Sequence, residues 1–175
     1  MARCDLAEGR IEQALDLLRQ AEVVLASLPE REEASELVVD GLFASAHVAS
    51  EDLANAQIRA DRIAARIDRP HVPTVFSTVH AYVALAEVRL LLWERAGARV
   101  SPPALRAVAW LSGFATMFPL AEPAALRCAA KARWLLGLRR LGLTGIERSV
   151  EAAVRLGMPH EEKLARHELE KLSGV

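Results

Sequence analysis

Apolar residues recur along the chain at spacings of three and four, the period of a helix with one buried face, and no stretch alternates as a strand would. Ile11, Ala14, Leu15, Leu18, Ala21, Leu25 and Leu28 form one such stripe, ending before Pro29. The spacing predicts a second helix from about Glu32 to Ala49. A third carries Leu53, Ala56, Ala60, Ile63 and Ile67 on one face and stops at Arg69-Pro70, since proline disfavours helix in the residue before it. A stripe through Val75, Val79, Tyr82, Ala86, Leu90 and Trp93 predicts a helix from Thr74 to Ala96, closed by Gly97. Ser101-Pro102 is a start signal, a hydroxyl cap followed by proline where no amide donor is needed; this helix should end near Phe118-Pro119. The next is expected from Pro123 to Leu141, with Gly142 as its stop. Thr144 and Glu147 fit a capping box opening a helix that Gly157 ends, and Pro159 opens a last one over about 159–173. About eight to nine helices joined by short loops imply antiparallel neighbours and an all-α fold.

The stripes repeat. Gly9-x-Ile11-x-x-Ala14-x-x-x-Leu18-x-x-Ala21 can be laid over Glu51-x-Leu53-x-x-Ala56-x-x-x-Ala60-x-x-Ile63, and over Thr144-x-Ile146-x-x-Ser149-x-x-x-Ala153-x-x-Leu156. A small residue at the same place allows close helix crossing. With Phe43-Ala44 and Leu136-Gly137 ahead of the small positions, the pattern resembles the tetratricopeptide repeat. The resemblance touches most of the chain, although residues 74–118 fit poorly and Ala14 and Ala56 are 42 residues apart, where the family has 34. It implies a superhelical stack of antiparallel helix pairs, an α-solenoid. The long repeats and the closing Leu156-Gly157-Met158-Pro159-His160-Glu161-Glu162 resemble C-terminal arrays of large bacterial signalling ATPases, such as maltose-regulator-like transcription activators and ATPase-linked adenylate cyclases. That likeness implies a non-catalytic interaction or effector-sensing scaffold in signal transduction or transcription regulation, with an ATPase or cyclase as a neighbour. Only residues 2–8 precede the first repeated motif, so the first repeat is expected to be truncated.

Composition agrees with helices: 52% of residues are apolar but only 5% aromatic, the apolar mass being Ala, Leu and Val. At 175 residues the chain is expected to form a single domain over 1–175. The most apolar window, His80 to Trp93, is broken by Glu87 and Arg89, which argues against a membrane span. The N-terminus lacks the apolar core of a secretory signal, so a cytoplasmic location is expected. Cys4 and Cys128 form no CxxC pair and are expected to be small buried hydrophobes.

Net charge is −1, but residues 1–68 hold 14 acids and 7 Lys/Arg while residues 69–175 hold 9 acids and 15 Lys/Arg. This polarity suits head-to-tail association or an acidic partner at the basic end. The basic run Arg127, Lys131, Arg133, Arg139, Arg140 and Arg148 is the candidate partner surface. If the family's groove-lining rule holds and Gly137 is the small position of its helix, Lys131, Trp134, Leu138 and Leu141 join Arg127 along the groove. Cations beside a tryptophan suit an acidic or aromatic-bearing peptide.

Catalytic chemistry finds no foothold. The five histidines (47, 71, 80, 160, 167) form no HExxH motif, the serines no GxSxG elbow, and no phosphate-cradling GxxxxGK loop is present, so neither catalytic nor metal residues nor a cofactor are assigned. Glu32-Glu33, Glu51-Asp52 and Glu161-Glu162 fall at helix beginnings, where negative charge is favoured. A second reading makes the chain a DNA-binding regulator fragment with a degenerate helix-turn-helix at 144–172. Glu161, Glu162, Glu168 and Glu170 on its second helix oppose phosphate binding, so nucleic acid is disfavoured as a partner.

Overall fold

The computed structural model describes residues 2–30, 32–68 and 75–174, with Arg3, Cys4 and Ala7 described by their backbone alone. Every regular element among them is helical. A short helix α1 (Ala2–Ala7) is followed by α2 (Ile11–Ser27), α3 (Glu33–Ala49), α4 (Leu53–Ile67), α5 (Val79–Ala96), α6 (Pro102–Met117), α7 (Glu122–Leu135), α8 (Arg139–Arg155) and α9 (Pro159–Ser173). Single 3₁₀ turns, Phe76–Thr78 and Pro119–Ala121, lead into α5 and α7. None of these helices is long and apolar enough to cross a membrane. The all-α expectation stands, and several caps fall where side-chain chemistry places them. Ser101 Oγ accepts from the Ala104 amide at 3.4 Å, with Pro102 beginning α6. Asp52 Oδ1 accepts from the Asn55 amide at 3.1 Å to open α4.

One turn recurs four times. After α1, α3, α7 and α8 the chain passes through a residue with positive φ, Gly9 (76°), Glu51 (60°), Gly137 (82°) and Gly157 (64°), and the next residue is the N-cap of a new helix. In each case the positive-φ residue donates its amide three residues back and its successor donates five back. Leu138 N reaches Arg133 O at 2.9 Å, Met158 N reaches Ala153 O at 2.9 Å, Asp52 N reaches His47 O at 2.8 Å and Arg10 N reaches Asp5 O at 2.8 Å. This paired bonding satisfies carbonyls that the ending helix would leave orphaned. The carbonyl of that same successor then accepts the first bond of the next helix: Arg10 from Ala14, Asp52 from Ala56, Leu138 from Gly142 and Met158 from Glu162. Helix end and helix start thus share one residue, which keeps the connection to three residues and turns the chain back on itself. Gly97, at 61°, follows α5 in the same conformation, so Gly9, Glu51, Gly97 and Gly137 succeed one another at 42, 46 and 40 residues.

The chain forms two compact units, Met1–Arg89 and Leu90–Val175, the division falling inside α5. In the first, α1 packs on α2, α2 on α3 and α3 on α4. Leu15, Leu18, Phe43 and Ala46 centre one core, with Ala2, Leu6, Ile11, Val39 and Leu42 around it. Ala14 and Ala56, which share the repeated small position, are fully buried, and so are Ala60 and Ile63. Asp40 is buried between Arg59 (2.8 Å) and Arg66, with Arg62 at 3.6 Å; Arg59 also pairs with Glu22, and Arg66 with Glu36 at 2.7 Å. The Arg59 guanidinium lies 3.9 Å over the Phe43 ring.

In the second unit α6 packs on α7, α7 on α8, and α9 on both α7 and α8. Ala130, Ile146 and Leu172 form a core with Trp134, Leu143 and Leu169 against it. Cys128 is buried, as expected, whereas the Cys4 side chain lies outside the described residues. The helix ends at Arg69-Pro70 and at Thr74 also lie outside them; α4 is closed by Asp68.

The α7–α8 junction corrects the expectation drawn from its two glycines. Gly137, read as a small packing residue, is the left-handed stop of α7. Gly142, read as a stop, lies inside α8, buried, where an added Cβ would meet the Ala130 carbonyl and the Trp134 Cβ, each at 3.2 Å. Thr144 caps nothing and is exposed in the second turn of α8, because α8 begins at Arg139. Gly145 is tighter still, a Cβ there falling 2.8 Å from the Ala130 Cβ. Two interior glycines cost roughly 1 kcal/mol each in helix propensity. Close approach of α7 and α8 offsets that cost through the packing it allows.

Candidate partner-binding corner

The five residues expected along a groove do not share one face. Arg127 and Lys131 lie on α7 where α9 covers it. Lys131 is buried, its ammonium 2.9 Å from Glu94 Oε1 and 3.0 Å from Glu168 Oε1, and Arg127 is 3.5 Å from Glu161. Burial works to lower the Lys131 pKa, but the hydrogen bonds its ammonium donates to the Glu94 and Glu168 carboxylates outweigh it and hold the group above its ordinary value. Glu161 and Glu168 are seven residues apart, two turns, so α9 lays both carboxylates against α7. These two cations serve the interior of the unit.

Trp134 ends up half-buried on α7, while Leu138 is the residue that caps α8 and Leu141 stands in its first turn. Because the chain reverses at Gly137, Leu138 and Leu141 cannot continue the Lys131–Trp134 stripe. The reversal instead gathers a different set. Leu136, Leu138 and Leu141 are 38%, 48% and 57% exposed around the turn, and Arg133, Arg139 and Arg140 are exposed beside them. The Arg139 guanidinium lies 5.2 Å from the centroid of the Trp134 ring. Arg133 reaches back across the junction, its Nη1 being 3.3 Å from where a Gly145 Cβ would stand. Among the described residues no ion pair engages Arg133, Arg139, Arg140 or Arg148. Leu136, absent from the expected set, could have been found from the Leu-Gly-Leu string once glycine was read as a turn.

The corner is therefore three outward leucines in a ring of unpaired arginines. Exposed leucines lose their contact with water on docking, and guanidinium groups attract carboxylates, so the chemistry fits an acidic, apolar-bearing surface. It offers neither nucleophile nor general base. Among the described residues no three His, Cys, Asp or Glu side chains converge as a metal site. The open depression beside Pro159, Glu162, Lys163, Arg166, His167 and Glu170 is walled by α9 alone.

No family model, curated protein or solved structure matches the chain.

Proposed function

We propose that the chain is a non-catalytic protein-interaction scaffold that docks an acidic partner through the Leu136–Leu141 corner. The observation that carries the reading is the exposure of Leu136, Leu138 and Leu141 beside arginines that, among the described residues, are engaged in no ion pair. Helical hairpins with buried small residues at repeated positions support it further, because stacked hairpins of the tetratricopeptide kind, which the sequence resembles, present side chains without needing chemistry. A place in a bacterial signalling or transcription-regulating system, beside an ATPase or cyclase, belongs to the same proposal and rests on that resemblance, as does a cytoplasmic setting.

The test is binding of a fluorescent peptide library differing in acidic and leucine content. An acidic, leucine-bearing peptide should bind, weaken with salt, and lose at least tenfold in affinity to Arg139→Glu/Arg140→Glu. Equal binding of neutral and acidic peptides would defeat the assignment.

A further inference from the structure

We infer that a second copy of this chain is an occupant of the arginine-leucine corner, received there through the uncovered end of its α2. This inference rests on the corner being a docking surface, as proposed above, and names a partner for it.

The end of α2 carries apolar side chains that the described residues leave exposed. Ala2 and Leu6 of α1 pack on the core of Leu15 and Leu18, joined by Ile11. Beyond Leu18 no residue of α2 is fully buried. Leu17, Ala21, Val24 and Leu28 nevertheless continue an apolar stripe at helical spacing; Val24 is 59% and Leu28 42% exposed, and neighbouring Val23 reaches 71%. A contiguous stripe of this kind, unlike scattered single residues, marks a contact surface.

Charge selects the occupant. Glu30 and Glu32 are exposed directly beyond the stripe. Residues 1–89 carry 15 acids and 9 Lys/Arg, Arg31 included, whereas residues 90–175 carry 8 acids and 13 Lys/Arg. An apolar stripe with an acidic edge is complementary to three leucines ringed by arginines. Both halves of such a contact exist on every copy, so two copies can exchange them reciprocally in a closed dimer or link through them into longer species.

The full chain is measured by sedimentation velocity. At low ionic strength its mass should rise above that of the monomer with concentration, and about 0.5 M salt should return it to monomer, because screening there shortens charge attraction to a few ångströms. Arg139→Glu/Arg140→Glu leaves only the α2 end working, and Val24→Asp/Glu30→Lys/Glu32→Lys leaves only the corner. Each variant alone should be monomeric, and a mixture should give a one-to-one heterodimer and nothing larger. Far-UV circular dichroism checks that both are folded; should the first unfold, Arg140→Glu/Leu141→Asp replaces it and keeps the Arg139–Trp134 contact. The inference is overturned if the wild-type chain stays monomeric throughout, if either variant alone associates as the wild type does, or if the mixture forms no heterodimer. A monomeric chain that still binds acidic peptide through Arg139 and Arg140 would overturn this inference while leaving the proposed function standing.

Discussion

Gly41 of α3 lies against the backbone of Ala81 in α5: a methyl group on Gly41 would stand 2.7 Å from both the Cα and the amide nitrogen of Ala81. Backbone cannot swing aside as a flexible side chain can. Gly41→Ala gains up to about 1 kcal/mol in helix propensity but overpacks the crossing, so a net loss of about 1–3 kcal/mol is expected. Gly113 in α6 has nothing within 4 Å of its missing Cβ and is exposed. Gly113→Ala should therefore stabilise by about 0.5–1 kcal/mol. Urea midpoints of the two variants should move in opposite directions.

Glu51 takes a left-handed conformation, φ 60°, at the turn position that Gly9, Gly137 and Gly157 occupy elsewhere. A Cβ in that region costs about 1–2 kcal/mol. Glu51→Gly should raise stability by about 1 kcal/mol, and Gly137→Ala should lower it by a similar amount. A melting temperature that falls for Glu51→Gly would mean that the Glu51 side chain contributes something its exposed position does not show.

Asp40 is the shared acceptor of Arg59 and Arg66, and its side chain is only 3% exposed. Asp40→Ala leaves the half-buried guanidinium groups of Arg59 and Arg66 without their shared acceptor and is expected to cost about 2–4 kcal/mol. Glu22, with 38% of its side chain exposed, supports Arg59 from the solvent side. Glu22→Ala should cost no more than about 1 kcal/mol. Chemical denaturation of both variants checks the ratio; equal losses would place the weight of the network at its rim.

Lys131 and Arg139 separate folding from docking. Lys131→Ala strands Glu94 and Glu168 and should destabilise the chain by about 2–4 kcal/mol while leaving peptide affinity of the folded fraction unchanged. Arg139→Glu/Arg140→Glu should do the reverse. Paired melting and titration experiments decide it, and a binding loss with Lys131→Ala at full folding would return that side chain to the binding surface.

His47 gives a pH signature. Burial pushes its pKa below 6.5; Asp52, 3.5 Å away, pulls upward, and the Arg59 and Arg19 charges push further down. The unfolded imidazole therefore takes its proton first. The His47 contribution should be flat well above pH 6.5, fall as pH drops through 6.5 to the lower folded value, and stay constant below that. His47→Gln should remove this step from urea midpoints measured between pH 5 and 7.5. The Glu22 pKa is lowered chiefly by its hydrogen bond from Arg59, so its contribution is lost only in more acid solution, below 4.5.

Most helix limits were legible because local chemistry sets them: Ser101 with Pro102, Asp52, and Pro159 after Gly157 each leave few alternatives to the backbone. The α7–α8 junction was not, because glycine serves two opposite purposes. Gly137 supplies a positive φ, whereas Gly142 and Gly145 supply absence of bulk at a crossing, and only the position of Ala130 and Trp134 across the interface tells them apart. That one exchange moved a helix boundary by six residues and carried Leu138 and Leu141 off the expected face. Arg127 and Lys131 were misplaced for a related reason: their acidic partners lie on α5 and α9, distant in sequence, so a basic run on one helix could not reveal that it was already answered.

The four three-residue turns bear on how the chain is made. A connection so short costs little entropy to close, and α7 meets α8 through residues separated by only a few dozen positions. Each hairpin can thus assemble as soon as its own two helices leave the ribosome, before the rest of the protein has been synthesised.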